Sequence, residues 1–158
     1  MPSDERLNPA PAPDGIPAAT IIIFRNAPDE GSPQILMTVR SRTMAFAGGM
    51  AVFPGGRVDQ ADFELAQHVA AQDDCALAVD EAAHQIAAIR ETLEETGLAL
   101  GLRGAITAQS AREARTMLEQ TGTLESVLEV FEWTLDFSQI IPFARWFPKN
   151  EKLSRVYD

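Results

Sequence analysis

Arg90-Glu91-Thr92-Leu93-Glu94-Glu95-Thr96-Gly97-Leu98 sets three carboxylates on a turn and a half of chain, between an arginine and a glycine. Glu91 lies three residues before Glu94 and four before Glu95, so all three project from one face of an α-helix. Like charges at that spacing repel by roughly a few tenths of a kcal/mol per pair. A divalent cation removes that repulsion, because carboxylate oxygens are the hard ligands that Mg²⁺ and Mn²⁺ accept. The stretch therefore reads first as a metal site. The bland alternative is an exposed acidic helix that ends at a glycine cap.

The helix itself is written in the residues upstream. Over 80–96, Ala83, Ile86, Ala87, Arg90, Leu93 and Gly97 mark one stripe at helical spacing, with Asp80 as N-cap and Gly97 as C-cap. Glu91, Glu94 and Glu95 lie off that stripe at the C-terminal end. The macrodipole disfavours negative charge there, which again asks for a cation.

Working outward, Met50-Ala51-Val52-Phe53 is a short apolar strand that stops at Pro54-Gly55-Gly56. Residues 18–25 read as a buried strand, 26–33 as a turn, and 34–40 as its hairpin partner, with Ile35, Met37 and Val39 on one side. Residues 59–80 suggest helical pieces interrupted near Gln72-Asp73-Asp74. Further helices are predicted over 109–120 and 124–134, and an aromatic-rich strand over 139–147. Residues 1–17 hold five of the ten prolines and read as a flexible leader.

Composition bounds the function. A chain of 158 residues is most simply one domain with a real core. A net charge of -10 and no Lys/Arg cluster disfavour a nucleic-acid partner. Cys75 is the sole cysteine, so neither an intrachain disulfide nor a cysteine-based zinc site is available. The apolar run Ile21-Ile22-Ile23-Phe24 is too short to cross a bilayer, and the proline-rich start is unlike a signal peptide. A cytoplasmic protein without membrane partners is the expectation.

Gly56, Asp62 and then Arg90-Glu91-x-x-Glu94-Glu95-x-Gly97-Leu98 resemble the box of the Nudix hydrolases, Gly-x5-Glu-x7-Arg-Glu-U-x-Glu-Glu-x-Gly-U, with U a bulky aliphatic. Thr92 stands where U is expected, Asp62 where the first Glu is, and 27 residues separate Asp62 from Arg90. The resemblance thus implies an excursion over 63–82. Leu36-Met37-Thr38-Val39-Arg40-Ser41, Gly49 and Phe53-Pro54-Gly55-Gly56 are similar to a signature of coenzyme A diphosphatases, with Ala45 in place of its second arginine. The excursion and that gap resemble the peroxisomal-type branch and its bacterial relatives, as do Ile141-Pro142-Phe143-Ala144-Arg145-Trp146 and Arg155-Val156-Tyr157-Asp158. The resemblance covers 18–158 and implies an α/β/α sandwich with a mixed sheet. The family's closing strand and C-terminal helix have no counterpart before Asp158; either the sequence is truncated or another element, such as a second copy, completes the sheet, and the edge so left invites pairing between copies as a homodimer.

What the resemblance implies chemically is hydrolysis of a nucleotide-diphosphate substrate with Mg²⁺ or Mn²⁺. Glu91, Glu94 and Glu95 are its metal ligands with the Gly55 carbonyl; Glu94, Glu95 and Arg90 are its catalytic group, Arg90 orienting a glutamate. Arg40 is either a phosphate contact or a strand-end ion pair. Coenzyme A or acyl-coenzyme A is the first substrate expectation, a general nucleotide diphosphatase or a non-catalytic Nudix-fold module the alternatives. Glu125, Glu129 and Glu132 are candidates for the general base. Bland readings stand for the rest: His68 and His84 face solvent or pack on the excursion, Asp59 and Asp62 are turn and cap residues, and Trp133, Phe143 and Trp146 belong to the core.

Overall fold

The computed structural model describes residues 15–27, 31–43, 48–71 and 77–145. In chain order these form β1 (Ala18–Thr20), β2 (Phe24–Asn26), β3 (Pro33–Ile35), β4 (Thr38–Val39), β5 (Ala51–Val52), β6 (Gly55–Arg57), α1 (Gln60–Ala71), α2 (Val79–Thr96), β7 (Leu102–Arg103), α3 (Ala108–Thr121), α4 (Leu124–Phe131) and β8 (Thr134–Leu135), closed by a 3₁₀ turn over Phe137–Gln139. The strands pair as four antiparallel ladders, β1–β6, β2–β3, β4–β5 and β7–β8. Among the described residues every ladder is antiparallel, and the parallel pairing that would make the expected sheet mixed is not among them.

α2 is the centre of the molecule. Its Ala82, Ala83, Ile86, Ala87, Ile89 and Leu93 are all at most 1% exposed, and Gln85, Arg90 and Thr92 are buried with them. A helix covered on every side is a core helix, and its alanines let neighbours approach closely. α1, β1, β6 and α3 all contact it. Thr92, the departure from a bulky aliphatic, is fully buried and spends its hydroxyl on the Ala88 carbonyl at 2.7 Å, which makes it a tolerable core residue.

The ends of α2 divide the expectation. Gly97 is the C-cap, in the left-handed region at φ 75°, its N–H donating to the Leu93 carbonyl. The N-cap is Ala78, not Asp80: the helix starts one residue earlier, and Asp80 sits in its first turn with its carbonyl oxygen 2.7 Å from His84 Nδ1. α3 begins on a capping box between Thr107 and Ser110.

Several strand expectations change. The strand expected over 18–25 is two elements with different partners, and its residues are half-buried or exposed instead of buried. Pro54-Gly55-Gly56 does not end the sheet; β6 resumes at Gly55 and pairs with β1. The strand expected over 139–147 is, up to Arg145, the end of the 3₁₀ turn followed by irregular chain. Phe143 is 85% exposed and so no core residue, whereas Trp133 is buried against Phe131. The excursion expected over 63–82 holds most of α1, which already starts at Gln60, and the first turn of α2. Cys75, Ala45, Trp146, the segment 155–158 and leader residues 1–14 lie outside the described residues; Pro17 accepts a hydrogen bond from Val58 N at 2.9 Å. No described helix is long and apolar enough to cross a membrane.

Candidate active site

Arg90 is the hub of the acidic run. Its side chain is 5% exposed and every nitrogen is used. Nε donates to Asp62 Oδ1 and Nη2 to Asp62 Oδ2, both at 3.0 Å; Nη2 also donates to the Arg57 carbonyl at 2.9 Å and Nη1 to Glu91 Oε1 at 2.8 Å. Glu94 Oε2 and Asp59 Oδ2 lie further off, at 3.5 and 3.6 Å. Burial pulls the guanidinium's pKa down, but the bonds and charge of Asp62 and then Glu91 outweigh it and hold it above its ordinary value. Asp62 has a second task, accepting the Asp59 N–H at 2.9 Å as the third residue of α1, half of a capping box. One carboxylate thus starts the added helix and clamps the arginine. Sequence reading placed Asp62 at the box position but gave it only a turn or cap role; the signal for the rest was its place six residues after Gly56.

The glutamates are held by the loop that precedes α1. A Cβ on Gly56 would lie 2.6 Å from Glu91 Cδ, so any larger residue would displace that carboxylate from its present place against Arg90. Gly55, at φ 147°, passes over β1 so closely that a Cβ would come within 2.8 Å of Thr20 Cα, and its N–H donates to Glu95 Oε2 at 3.3 Å. Burial raises the Glu91 pKa, Arg90 lowers it by charge and hydrogen bond, and Glu94 and Glu95 raise it again; the net shift is upward. Burial also raises Glu95, the Gly55 bond and the charge of Arg40 lower it, Glu94 raises it, and the net is again upward. Arg40 is therefore near enough to Glu95 to act on it, and its Nε is buried with no hydrogen-bond partner.

The donor chemistry suits a hard divalent ion: three carboxylates on one helical face, two of them made reluctant to ionise. Their present placement does not gather them. Among the described residues no three acidic side chains stand close enough together to hold one ion, because Glu91 turns to Arg90 and Glu95 to Gly55. Rotation of those side chains is what an ion would demand of this site.

That reluctance has a pH signature. A carboxylate whose folded pKa is raised gives stability that is full below the unfolded value of 4.5 and lost as pH rises through the folded pKa. Asp136 works the other way. Arg103, Ser138 and Gln139 hold it well below 3.8, so its contribution is lost only as pH falls beneath that value. The melting temperature without metal is therefore expected to decline from about pH 4.5 towards neutrality, and millimolar Mg²⁺ to recover it at pH 7 but not at pH 4.5. Thermal melts with and without Mg²⁺ decide this; a neutral-pH stability indifferent to the ion refutes it.

The candidates for general base stand elsewhere. Glu125 Oε1 is 2.9 Å from His68 Nδ1, which ties α4 to α1. Glu132 caps α4 in a left-handed conformation at φ 53°, and Glu129 is exposed. Among the described residues none of the three shares a hydrogen bond or ion pair with Glu91, Glu94 or Glu95.

No protein-family model matches the chain, and no curated protein matches it. Among solved structures, a Nudix hydrolase from Alicyclobacillus acidocaldarius superposes with a TM-score of 0.71 at 23% sequence identity, over 92% of this chain and 67% of that one. The chain has the Nudix α/β fold, and the acidic run occupies the helix at its centre.

Proposed function

We propose that this chain hydrolyses the diphosphate linkage of a nucleoside diphosphate joined to another moiety, with Mg²⁺ or Mn²⁺ as cofactor. The observation that carries this reading is the meeting of Glu91, Glu95, Gly55, Gly56 and Arg40 at the C-terminal end of α2, within a Nudix fold. Glu91, Glu94 and Glu95 would hold the ion with the Gly55 carbonyl, and bound there it would neutralise charge on the phosphoryl oxygens. Arg40 is half-buried and brings a buried Nε with no hydrogen-bond partner to the same place, suited to a phosphate oxygen. Arg90 touches no substrate in this reading. It fixes Glu91 against the Gly56 backbone and keeps Asp62 in place.

Coenzyme A or acyl-coenzyme A is the substrate we favour, on the likeness of 36–41 and 53–56 to that branch. The purified chain, given Mg²⁺ or Mn²⁺ and a panel of diphosphates, is expected to split coenzyme A into 3′,5′-ADP and a phosphopantetheine. Inert coenzyme A with cleavage of NADH, ADP-ribose or a nucleoside triphosphate would leave the general diphosphatase. Inertness on the whole panel would leave a binding module, the reading favoured by the present engagement of Glu91 and Glu95 with protein groups.

A further inference from the structure

Between the end of α2 and the start of α3 lies a cleft of about 480 Å³. Thr96, Gly97 and Leu98 line it from the first side, Ala108, Arg112 and Arg115 from the second, and none of its lining residues is acidic. In a chain of net charge -10 that is a locally positive recess. A cleft lined by one sign of charge concentrates its field and draws the opposite sign. Thr96 follows Glu95 directly, so the cleft opens one residue beyond the candidate metal ligands.

Arg115 is the better placed of the two arginines. It lies over the C-cap of α2, where a Cβ on Gly97 would be 3.9 Å from its Cδ and 4.0 Å from its Nη1. α2 has no basic residue in its own last turn, so Arg115 covers the negative end of the helix dipole, which would otherwise repel an anion. Its Nε is buried without a hydrogen-bond partner. Glu119, one turn further along α3, pairs with that Nε at 3.4 Å but does not line the cleft. Arg112 is exposed; its Nη2 donates to Gln109 Oε1 at 2.8 Å, and it pairs with no carboxylate among the described residues. Ala108 is the first residue of α3, where N–H groups have no acceptor within the helix. Two planar guanidinium forks suit the several oxygens and double charge of a phosphomonoester better than the single charge of a carboxylate.

We propose, on the diphosphatase reading above, that this cleft holds a phosphomonoester which the substrate carries outside the hydrolysed linkage, with Arg115 and Arg112 as its binding residues. In coenzyme A that group is the 3′-phosphate, separated from the diphosphate by the ribose alone. Kinetics of the full chain with Mg²⁺ on coenzyme A and on 3′-dephospho-coenzyme A test it. The parent is expected to favour coenzyme A by at least about tenfold in kcat/KM, because the cleft's donors go unmet without the phosphate, and to show the preference in KM. An Arg112→Gln/Arg115→Gln double variant is expected to use the two alike. Arg112→Gln alone, at an exposed position, is expected to lower the preference at least about threefold, which keeps the test open if loss of Arg115 from the end of α2 unfolds the chain. A chain that hydrolyses coenzyme A without preference, or whose preference survives the variants, overturns the cleft assignment and leaves the diphosphatase reading standing. Should coenzyme A be inert, calorimetry with 3′,5′-ADP and 5′-AMP decides. Tighter binding of 3′,5′-ADP that the arginine variants abolish upholds the cleft while the hydrolytic reading falls; equal binding of the two nucleotides overturns both.

Discussion

A Glu95→Gln variant is expected to lose at least about 100-fold in turnover while melting at or above the parent temperature in the absence of metal. The two effects part company because the carboxylate does different things for chemistry and for folding. Glutamine has the same shape and its amide oxygen can still accept the Gly55 N–H, so the loop over α2 keeps its anchor. What disappears is a charge that burial and Glu94 both oppose, so the folded state without metal gains. The same charge is what a divalent ion and Arg40 would meet, so catalysis and the stabilisation by Mg²⁺ at neutral pH fall together. Steady-state kinetics with a Mg²⁺ titration, beside melts of both proteins, separate these readings. A variant with parental turnover sinks the assignment of Glu95, and one that melts far below the parent shows that the residue served the fold instead. Glu94→Gln is expected to lower turnover in the same direction, without the gain in stability, because Glu94 is the least buried of the three partners of Arg90 that α2 and α1 supply.

Legibility in the sequence followed how much of a residue's fate is decided locally. The stripe from Ala83 to Leu93 has helical spacing whatever surrounds it, and Gly97 takes a left-handed cap that few other residues tolerate, so α2 and its end could be read directly. The face shared by Glu91, Glu94 and Glu95 came with it. Asp80 was misplaced as a cap because capping needs a side chain turned back on the first turn, and a usable residue type does not guarantee that. The run from Ile21 to Phe24 misled in a different way. Its side chains are apolar on both faces, which is the pattern of a doubly covered strand, and nothing in that pattern says that Ile22 and Phe24 stay exposed among the described residues. Pro54-Gly55-Gly56 looks like a terminator in sequence, yet Gly55 is needed because the β1 backbone leaves no room for a Cβ, and Gly56 leaves the Glu91 carboxylate its present place. The partnership of Asp62 with Arg90 is non-local by 28 positions, so periodicity carried no trace of it; only the box spacing pointed there.

That partnership sets the largest expected loss of stability. Asp62→Ala is expected to cost roughly 3–5 kcal/mol, the usual result of removing one member of a buried ion pair. The carboxylate is 2% exposed and the guanidinium side chain 5%, so solvent cannot take over the bonds that are lost. Nε would be left bare, Nη2 would keep only the Arg57 carbonyl, and the Asp59 N–H that starts α1 would lose its acceptor. Against an ordinary total of about 5–15 kcal/mol, that is a third of the stability or more. Asp62→Asn should fall between, since one acceptor oxygen survives while the charge does not. Asp62→Glu, which restores the residue of the common box, is expected to cost about 1–3 kcal/mol, because an added methylene has nowhere to go at so closed a site. The informative comparison is the pair Asp62→Leu with Arg90→Met. Replacing both partners of a buried pair by apolar groups is often neutral for stability, so the double variant is expected to melt well above Asp62→Ala. It should still be catalytically dead, because Glu91 then loses the Nη1 bond that holds it beside Gly56. A double variant that is stable and active would place the whole Asp62–Arg90 clamp outside the chemistry. A loss below about 1 kcal/mol for Asp62→Ala, the range of an exposed pair, would mean that water reaches the clamp after all.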